Sequence, residues 1–233
     1  MLCALFVDME TTGIMVKNGS HVINKQINLN DASDIYKKDP GQLYSKAFFQ
    51  KMAKVRRWQL PLAKKISGLY KIQSVVDFGC ASGFYLEGFM ETGVTVRGFE
   101  YLLENCIEFM SDNIKPYIDK GDLMENIDCG SFDLVMSIEV AEHLLPEKSD
   151  IFIDNLVRAS RKYVLLTAAP PGQGGTGHIN EQPREYWIDK LEERDFLFSP
   201  NDISKIQSLF GDLPFVNKYT RLIKRQIMFF VKD

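Results

Sequence analysis

The chain has 233 residues, 45% of them hydrophobic, and a formal net charge of −3. That length accommodates one α/β domain with a large core plus an extension, and that charge excludes polyanion binding by bulk electrostatics. Four cysteines (Cys3, Cys80, Cys106, Cys129) stand without metal-ligand spacing, so reduced thiols and a cytoplasmic setting are expected.

Residues 1–34 carry the weakest patterning. The apolar run from Met1 to Val7 stops at Asp8, too short for a signal peptide or a membrane span. Thr11-Thr12-Gly13 sits between two apolar runs as a possible hairpin, Asn18-Gly19 is a second turn signal, and His21 reads as an ordinary packing or exposed histidine. From Gln42 to Gly68 the pattern is helical, with Phe48, Met52 and Val55 on one face; Pro61 is expected to open a second helix that Gly68 ends. Between Tyr36 and Lys65 stand nine basic residues (Lys37, Lys38, Lys46, Lys51, Lys54, Arg56, Arg57, Lys64, Lys65) and one acid, Asp39. They read either as a solvated helix face or as an anion-binding lid.

The chain is organised around Val75-Val76-Asp77-Phe78-Gly79-Cys80-Ala81-Ser82-Gly83-Phe84-Tyr85. An apolar run ends in an acid, a small-residue loop follows, and a helical pattern (Tyr85, Leu86, Phe89, Met90) begins. Gly79, Ala81 and Gly83 let backbone approach a ligand at the carboxyl end of a first parallel strand. The dinucleotide pattern G-x-G-x-x-G fails here, because Ala81 and Phe84 stand at its second and third glycine positions. A second strand through Val94, Val96 and Phe99 ends at Glu100, an acid placed to accept hydrogen bonds from ribose hydroxyls. Gly121-Asp122-Leu123 forms a third loop, and Phe132-Asp133-Leu134-Val135-Met136-Ser137-Ile138 reads as a buried fourth strand. A helix (Ile151, Phe152, Leu156, Val157) and a fifth strand, Tyr163–Thr167, come next. The long glycine-rich loop 168–182 then lies at the carboxyl edge of the sheet. Pro183 starts a further helix. A short strand near Phe196–Phe198, a helix near Ile203–Phe210 and a last strand Gln226–Val231 complete the chain.

The D-x-G-x-A-x-G loop, the acid at Glu100 and the F-D-L-V strand resemble class I S-adenosylmethionine (SAM)-dependent methyltransferases, from roughly Ser67 to the C-terminus. The resemblance implies a Rossmann-like, seven-stranded, mostly parallel sheet with an antiparallel last strand and helices on both faces. Residues 1–68 would then be an N-terminal extension with lid helices, and 69–233 the SAM-binding unit. It implies SAM contacts from Asp77, Gly79, Ala81, Ser82, Gly83 and Tyr85, from Glu100 and Tyr101, from Asp122 and Leu123, and from Glu139. Helices before the first strand often shape the acceptor pocket in this family, which makes Tyr44, Arg57 and Trp58 substrate candidates.

Glu139, Glu142 and His143 follow the fourth strand at i, i+3 and i+4, spacings that share one face of a helical turn. Two carboxylates and an imidazole, with His178 from the next loop, make a candidate divalent-metal site, Mg²⁺ or Mn²⁺ before zinc. The E-x-x-E-H string is similar to two metal-dependent branches of the family, the small-RNA 3′-end 2′-O-methyltransferases and the ubiquinone-pathway O-methyltransferases. Both act on neighbouring hydroxyls, which implies a sugar or catechol acceptor. The alternative is metal-free, with a glutamate capping backbone N–H groups and His143 as general base; His143, Glu142 and His178 are the catalytic candidates. Asn180, Glu181 and Gln182 are placed either to bind a polar substrate or to cap the helix from Pro183.

The leading expectation is a SAM-dependent O-methyltransferase of a hydroxylated small molecule or sugar, acting away from membranes. Its alternatives are an RNA ribose 2′-O-methyltransferase using the basic stretch and a non-catalytic subunit that keeps the SAM fold.

Overall fold

A computed structural model of the chain describes residues 40–233. The expectations for residues 1–34, together with Lys37, Lys38 and Asp39, lie outside the described residues. Seven strands form one sheet in the order β3-β2-β1-β4-β5-β7-β6: β1 Ser74–Phe78, β2 Thr95–Glu100, β3 Ile118–Lys120, β4 Phe132–Ile138, β5 Ser160–Thr167, β6 Phe196–Phe198 and β7 Met228–Lys232. The strands β1 to β5 pair in parallel, and β7 lies antiparallel between β5 and β6. This is the expected seven-stranded Rossmann-like arrangement. Every residue of β1 and β4 is buried, because helices cover both faces of a parallel sheet. The strand order reverses between β1 and β4, so a crevice opens beyond their carboxyl ends. Parallel pairing brings the loops after β1, β2, β4 and β5 to that same edge.

Ahead of the sheet, helix α1 (Lys46–Met52) leads through a 3-10 turn into α2 (Arg56–Tyr70). Pro61 lies inside α2 and Gly68 does not end it, which corrects both expectations. Pro61 stands past the first turn of α2, and its missing N–H costs the helix one backbone bond, to the Arg57 carbonyl. Lys71, at φ +49, ends the helix instead, its N–H bonding back to the Ser67 carbonyl. Helix α3 (Phe84–Met90) rises from the loop after β1 and packs on α2. Arg56 clamps the two helices together by donating from Nε and Nη2 to the two oxygens of Glu87, at 2.9 and 2.6 Å. The helices α4 (Ser149–Ala159), α5 (Arg184–Glu192), α6 (Pro200–Leu209) and α7 (Lys218–Gln226) complete the layers. The sequence pattern did not foreshadow α7. Its start is fixed by a capping box in which Asn217 Oδ1 accepts from the Tyr219 and Thr220 N–H groups and Thr220 Oγ1 accepts from the Asn217 N–H.

Four of the basic residues before β1 meet acids: Lys46 with Glu108, Arg56 with Glu87, Lys64 with Glu91 and Lys65 with Asp212. That makes much of the stretch a solvated, paired helix face. No helix among the described residues is long and apolar enough to cross a membrane.

Gly88 marks the closest approach of α3 to α2. A Cβ there would stand 2.4 Å from the Leu60 carbonyl oxygen and 2.8 Å from Ala63 Cβ. Gly88→Ala is therefore expected to lower stability by about 1–3 kcal/mol despite the better helix propensity of alanine, read as a lower midpoint in urea unfolding.

Candidate active site

The loop after β1 holds Gly79, Ala81 and Gly83 at φ of +85, +48 and +71. Gly79 and Cys80 donate to the Phe99 carbonyl at the end of β2, which ties the loop to its neighbour strand. Gly79 needs to be small, since a Cβ there would stand 2.5 Å from Val140. Glu100 is fully buried; its Oε2 accepts from the Ala81 N–H at 3.0 Å and its Oε1 from the Leu102 N–H at 2.9 Å. Asp77 Oδ1 and Ser82 Oγ are buried without a hydrogen-bond partner among the described residues. Burial, and next the Glu100 charge, push the Asp77 carboxyl up to about 8. The loop is thus a small-residue cradle with unspent polar atoms. Asp122 Oδ1 caps the third loop by accepting from the Met124 N–H, Leu123 is buried, and Tyr101 is half-buried beside Glu100.

The turn after β4 departs from the helical face expected of E-x-x-E-H. Glu139 sits at φ +57 and only Ala141–His143 form a 3-10 turn, so Glu139 does not align with the other two. Its N–H and Oε1 engage Thr167 on β5, with the Thr167 hydroxyl donating to Oε1 at 2.7 Å. Ligand atoms of Glu142, His143 and His178 lie within 4.8 Å of one another, a group that does not include Glu139. What draws His178 in is the loop after β5, strapped beneath the turn by the Ile179 and Asn180 N–H groups. Both donate to the Glu142 carbonyl, at 2.9 and 3.0 Å.

The two imidazoles stand edge to face, 4.9 Å between ring centres. His143 Nδ1 lies 3.1 Å from the Gly177 carbonyl and 3.1 Å from the Tyr44 hydroxyl, which itself donates to the Thr176 carbonyl at 2.8 Å. A carbonyl only accepts, so these partners assign the proton to Nδ1 and leave Nε2 a bare lone pair. His178 repeats the pattern, with Nδ1 2.8 Å from Glu181 Oε1. Both Nε2 atoms and both Glu142 carboxylate oxygens are buried without a hydrogen-bond partner among the described residues. Burial pulls the His143 imidazole down to about 3, with His178 adding to the effect. Burial likewise pushes Glu142 well above the usual carboxylate range, with Glu139 adding to it; the nearby backbone N–H groups of Glu142 and Ala169, short of hydrogen-bond geometry, offset only part of that. Glu139, also buried, is raised to about 7.

The remaining candidates divide. Tyr44 reaches the site directly. Trp58 is instead buried against the edges of Tyr85 and Tyr219, and Arg57 is exposed on α2, so neither joins the imidazoles. The Asn180 side chain is buried, donating to Ser149 and Ala141 and accepting from Gln182. Glu181 ties its own loop, accepting from the Gly172 and Gly174 N–H groups besides meeting His178. These contacts make Asn180 and Glu181 holders of the loop.

Gly177, at φ +74, leaves room for the Tyr44 ring tip, since a Cβ there would stand 2.1 Å from the hydroxyl. Gly177→Ala is expected to displace Tyr44 and cost about 1–3 kcal/mol from backbone strain and overpacking. Thermal unfolding would read that as a fall of several degrees in Tm.

The family model described as "Methyltransferase domain" matches residues 76–165, spanning β1 to β5. Sequence comparison with curated proteins finds no match. Among solved structures, magnesium protoporphyrin IX methyltransferase from Synechocystis PCC 6803 with bound SAH is similar at a TM-score of 0.55 and 15% identity, over 86% of this chain and 94% of that one. An O-methyltransferase of a trans-AT polyketide synthase multienzyme from Brevibacillus brevis, in complex with S-adenosyl-L-homocysteine (SAH), gives 0.53 and 16% over 83% and 78%. Mitomycin 7-O-methyltransferase MmcR gives 0.56 and 12% over 86% and 59%. Identities this low speak for the fold alone. Residues 76–165 thus match a methyltransferase domain model, and the chain shares the fold of these methyltransferases.

Proposed function

We propose that the chain is a SAM-dependent O-methyltransferase that acts on a hydroxyl group of a small molecule or sugar, with a divalent ion held by Glu142, His143 and His178. One observation carries the reading. Two imidazoles have their Nδ1 atoms fixed by acceptors and their Nε2 atoms buried, and both residues fall in one group of candidate ligands with the Glu142 carboxylate. Ligand histidines commonly donate their second ring nitrogen to a carbonyl or carboxylate in this way, which sets the tautomer and the ring plane. With Glu139 outside the group, two nitrogens and one carboxylate suit Mn²⁺ better than Mg²⁺.

Bound SAM would supply an electrophilic methyl group, and the divalent ion a Lewis acid that lowers the acceptor hydroxyl's pKa. The chain's own part is to place and exclude. Asp77, Ser82 and Glu100 supply polar atoms and charge on the β1–β2 side. Tyr44 covers His143 and keeps water away from it, and Glu181 holds His178 in its tautomer. The O-methyltransferases among the similar folds are compatible with this reading. The RNA alternative is weakened by the acids that already pair with Lys46, Arg56, Lys64 and Lys65.

Calorimetry with MnCl₂ is expected to show one site in the protein and none in Glu142→Gln. The same variant, like a chelator, should lower kcat by about 10²-fold or more. Full activity in the chelator would leave His143 as a general base acting alone.

Asp77 yields a second expectation. Its carboxyl, raised to about 8, is protonated near pH 7 in the free protein. A cationic cofactor favours the ionised form, so binding must expel a proton. SAM affinity should therefore rise with pH up to about 8 and then level off, with proton release seen as a buffer-dependent calorimetric enthalpy. Asp77→Asn should bind more weakly and without that pH dependence.

A further inference from the structure

A cavity of about 550 Å³ opens between the loop after β5 and the carboxyl end of α7, a volume in the usual range for small-molecule sites. Its apolar wall includes Ala168, Leu222 and Met228, and its polar groups include Gln173, Arg184, Arg225 and Gln226.

The hydrogen bonds fix how those polar groups point. Gln226 Nε2 donates to the Ala168 carbonyl at 3.2 Å and to Gln173 Oε1 at 2.7 Å. The carbonyl sets the orientation of one amide, and that amide sets the other. What remains is a donor, Gln173 Nε2, and an acceptor, Gln226 Oε1, both buried and both without a partner among the described residues. Gln226 itself is only 8% exposed.

The charges are equally unspent. Arg184 Nη2 caps α7 by donating to the Arg225 and Ile227 carbonyls. This holds the guanidinium still and leaves the N–H groups of Nε and Nη1 for other acceptors. No carboxylate pairs with Arg184 or Arg225 among the described residues. The helix α7 reads Lys-Tyr-Thr-Arg-Leu-Ile-Lys-Arg-Gln and contains no acid. Gly172 lines the cavity and donates to Glu181, whose carboxylate meets His178, so a single side chain separates the cavity wall from the candidate active site.

We propose that this cavity binds a hydroxylated organic anion, the anionic end of the methyl acceptor. The guanidinium groups of Arg184 and Arg225 take its oxyanion, and the Gln173–Gln226 amide pair takes its neutral hydroxyls. The assignment to the acceptor rests on the reading above; the anion site itself does not. Guanidinium groups bind phosphate esters and carboxylates through the same paired donors, so either can supply the oxyanion.

The test is calorimetry on the full chain with SAH present, using glucose 6-phosphate, glucuronate and methyl α-glucoside as probes. At least one anionic probe is expected to bind tenfold or more tighter than the neutral glucoside, and the stronger of the two identifies the oxyanion. Arg225→Gln, at an exposed position, should remove that advantage while SAH affinity stays unchanged. Arg184→Lys keeps the charge but loses the fork, and should weaken the anion less than Arg225→Gln combined with Arg184→Lys does. Equal binding of all three probes, or an anion advantage that survives the double substitution, would overturn the proposal. Absence of heat with SAH alone would instead remove the methyltransferase reading and leave the anion measurement to stand by itself.

Discussion

The site depends on the Glu142 carbonyl, which accepts from two consecutive N–H groups, those of Ile179 and Asn180. These two bonds fasten the long loop after β5 beneath the turn after β4. Without them a glycine-rich segment of this length would carry a large conformational entropy, and His178 would have no reason to meet His143. Glu181 then gathers the loop on itself by accepting from Gly172, Gly174 and His178. Backbone bonds thus set the distance between the imidazoles, and side-chain bonds set their tautomers. Asn180, buried and fully engaged, acts through this framework; it stabilises the fold of the loop rather than facing an acceptor.

A second constraint is electrostatic. Asp77, Glu139 and Glu142 are each no more than 2% exposed, and each is pushed upward chiefly by burial. No lysine or arginine contributes to holding any of them in ionised form. Leaving buried polar atoms unpaired costs on the order of 1–3 kcal/mol each, and a core that tolerates several of them in one crevice is strained toward a cationic ligand. Among the described residues, Arg56, Lys64 and Lys65 of α2 meet Glu87, Glu91 and Asp212, and Arg184 and Arg225 line the cavity beside the loop. Those guanidinium groups are placed where an anion can reach them.

Much of the fold was legible because it rests on local pattern. The run Phe132–Ile138 is mostly apolar and is a strand buried on both faces; Glu100 ends β2 and Asp77 stands one residue before the end of β1, both at the sheet's carboxyl edge. The E-x-x-E-H string was legible as residues but not as geometry. Helical spacing assumed right-handed backbone at position 139, while the strand exit imposes φ +57 there and turns Glu139 toward Thr167. Pro61 misled for the opposite reason: proline is a start signal only where tertiary packing does not already continue the helix, and here α2 is held along its length by α3. Helix α7 was missed although Asn217 and Thr220 stand at capping-box spacing and Lys, Arg, Leu and Gln favour a helix, because its buried face mixes Tyr219 and Ile223 with the polar Thr220 and Gln226 and so gives a weak apolar period. Arg184 and Arg225 could not be paired from sequence at all, since nothing local connects residues 184 and 225.

The closed state of the crevice bears on how an acceptor would arrive. Tyr44 covers His143, the Asn105 side chain donates to the Tyr44 carbonyl at 2.9 Å, and His143 and Glu142 have no exposure. The segment of Tyr44 and helix α1 thus lies against His143, with the Tyr44 and His143 rings edge to face. Its attachments differ in kind. Arg56 to Glu87 is bidentate with one partner buried, and anchors α2 firmly; Lys46 to Glu108 is exposed on both sides and contributes little. Tyr44 is tied by its hydroxyl to His143 and Thr176 and by its carbonyl to Asn105, while Phe48, Phe49 and Met52 bury the inner face of α1. The Arg56–Glu87 clamp uses none of these groups, so the contacts that cover His143 and those that fasten α2 to α3 are distinct.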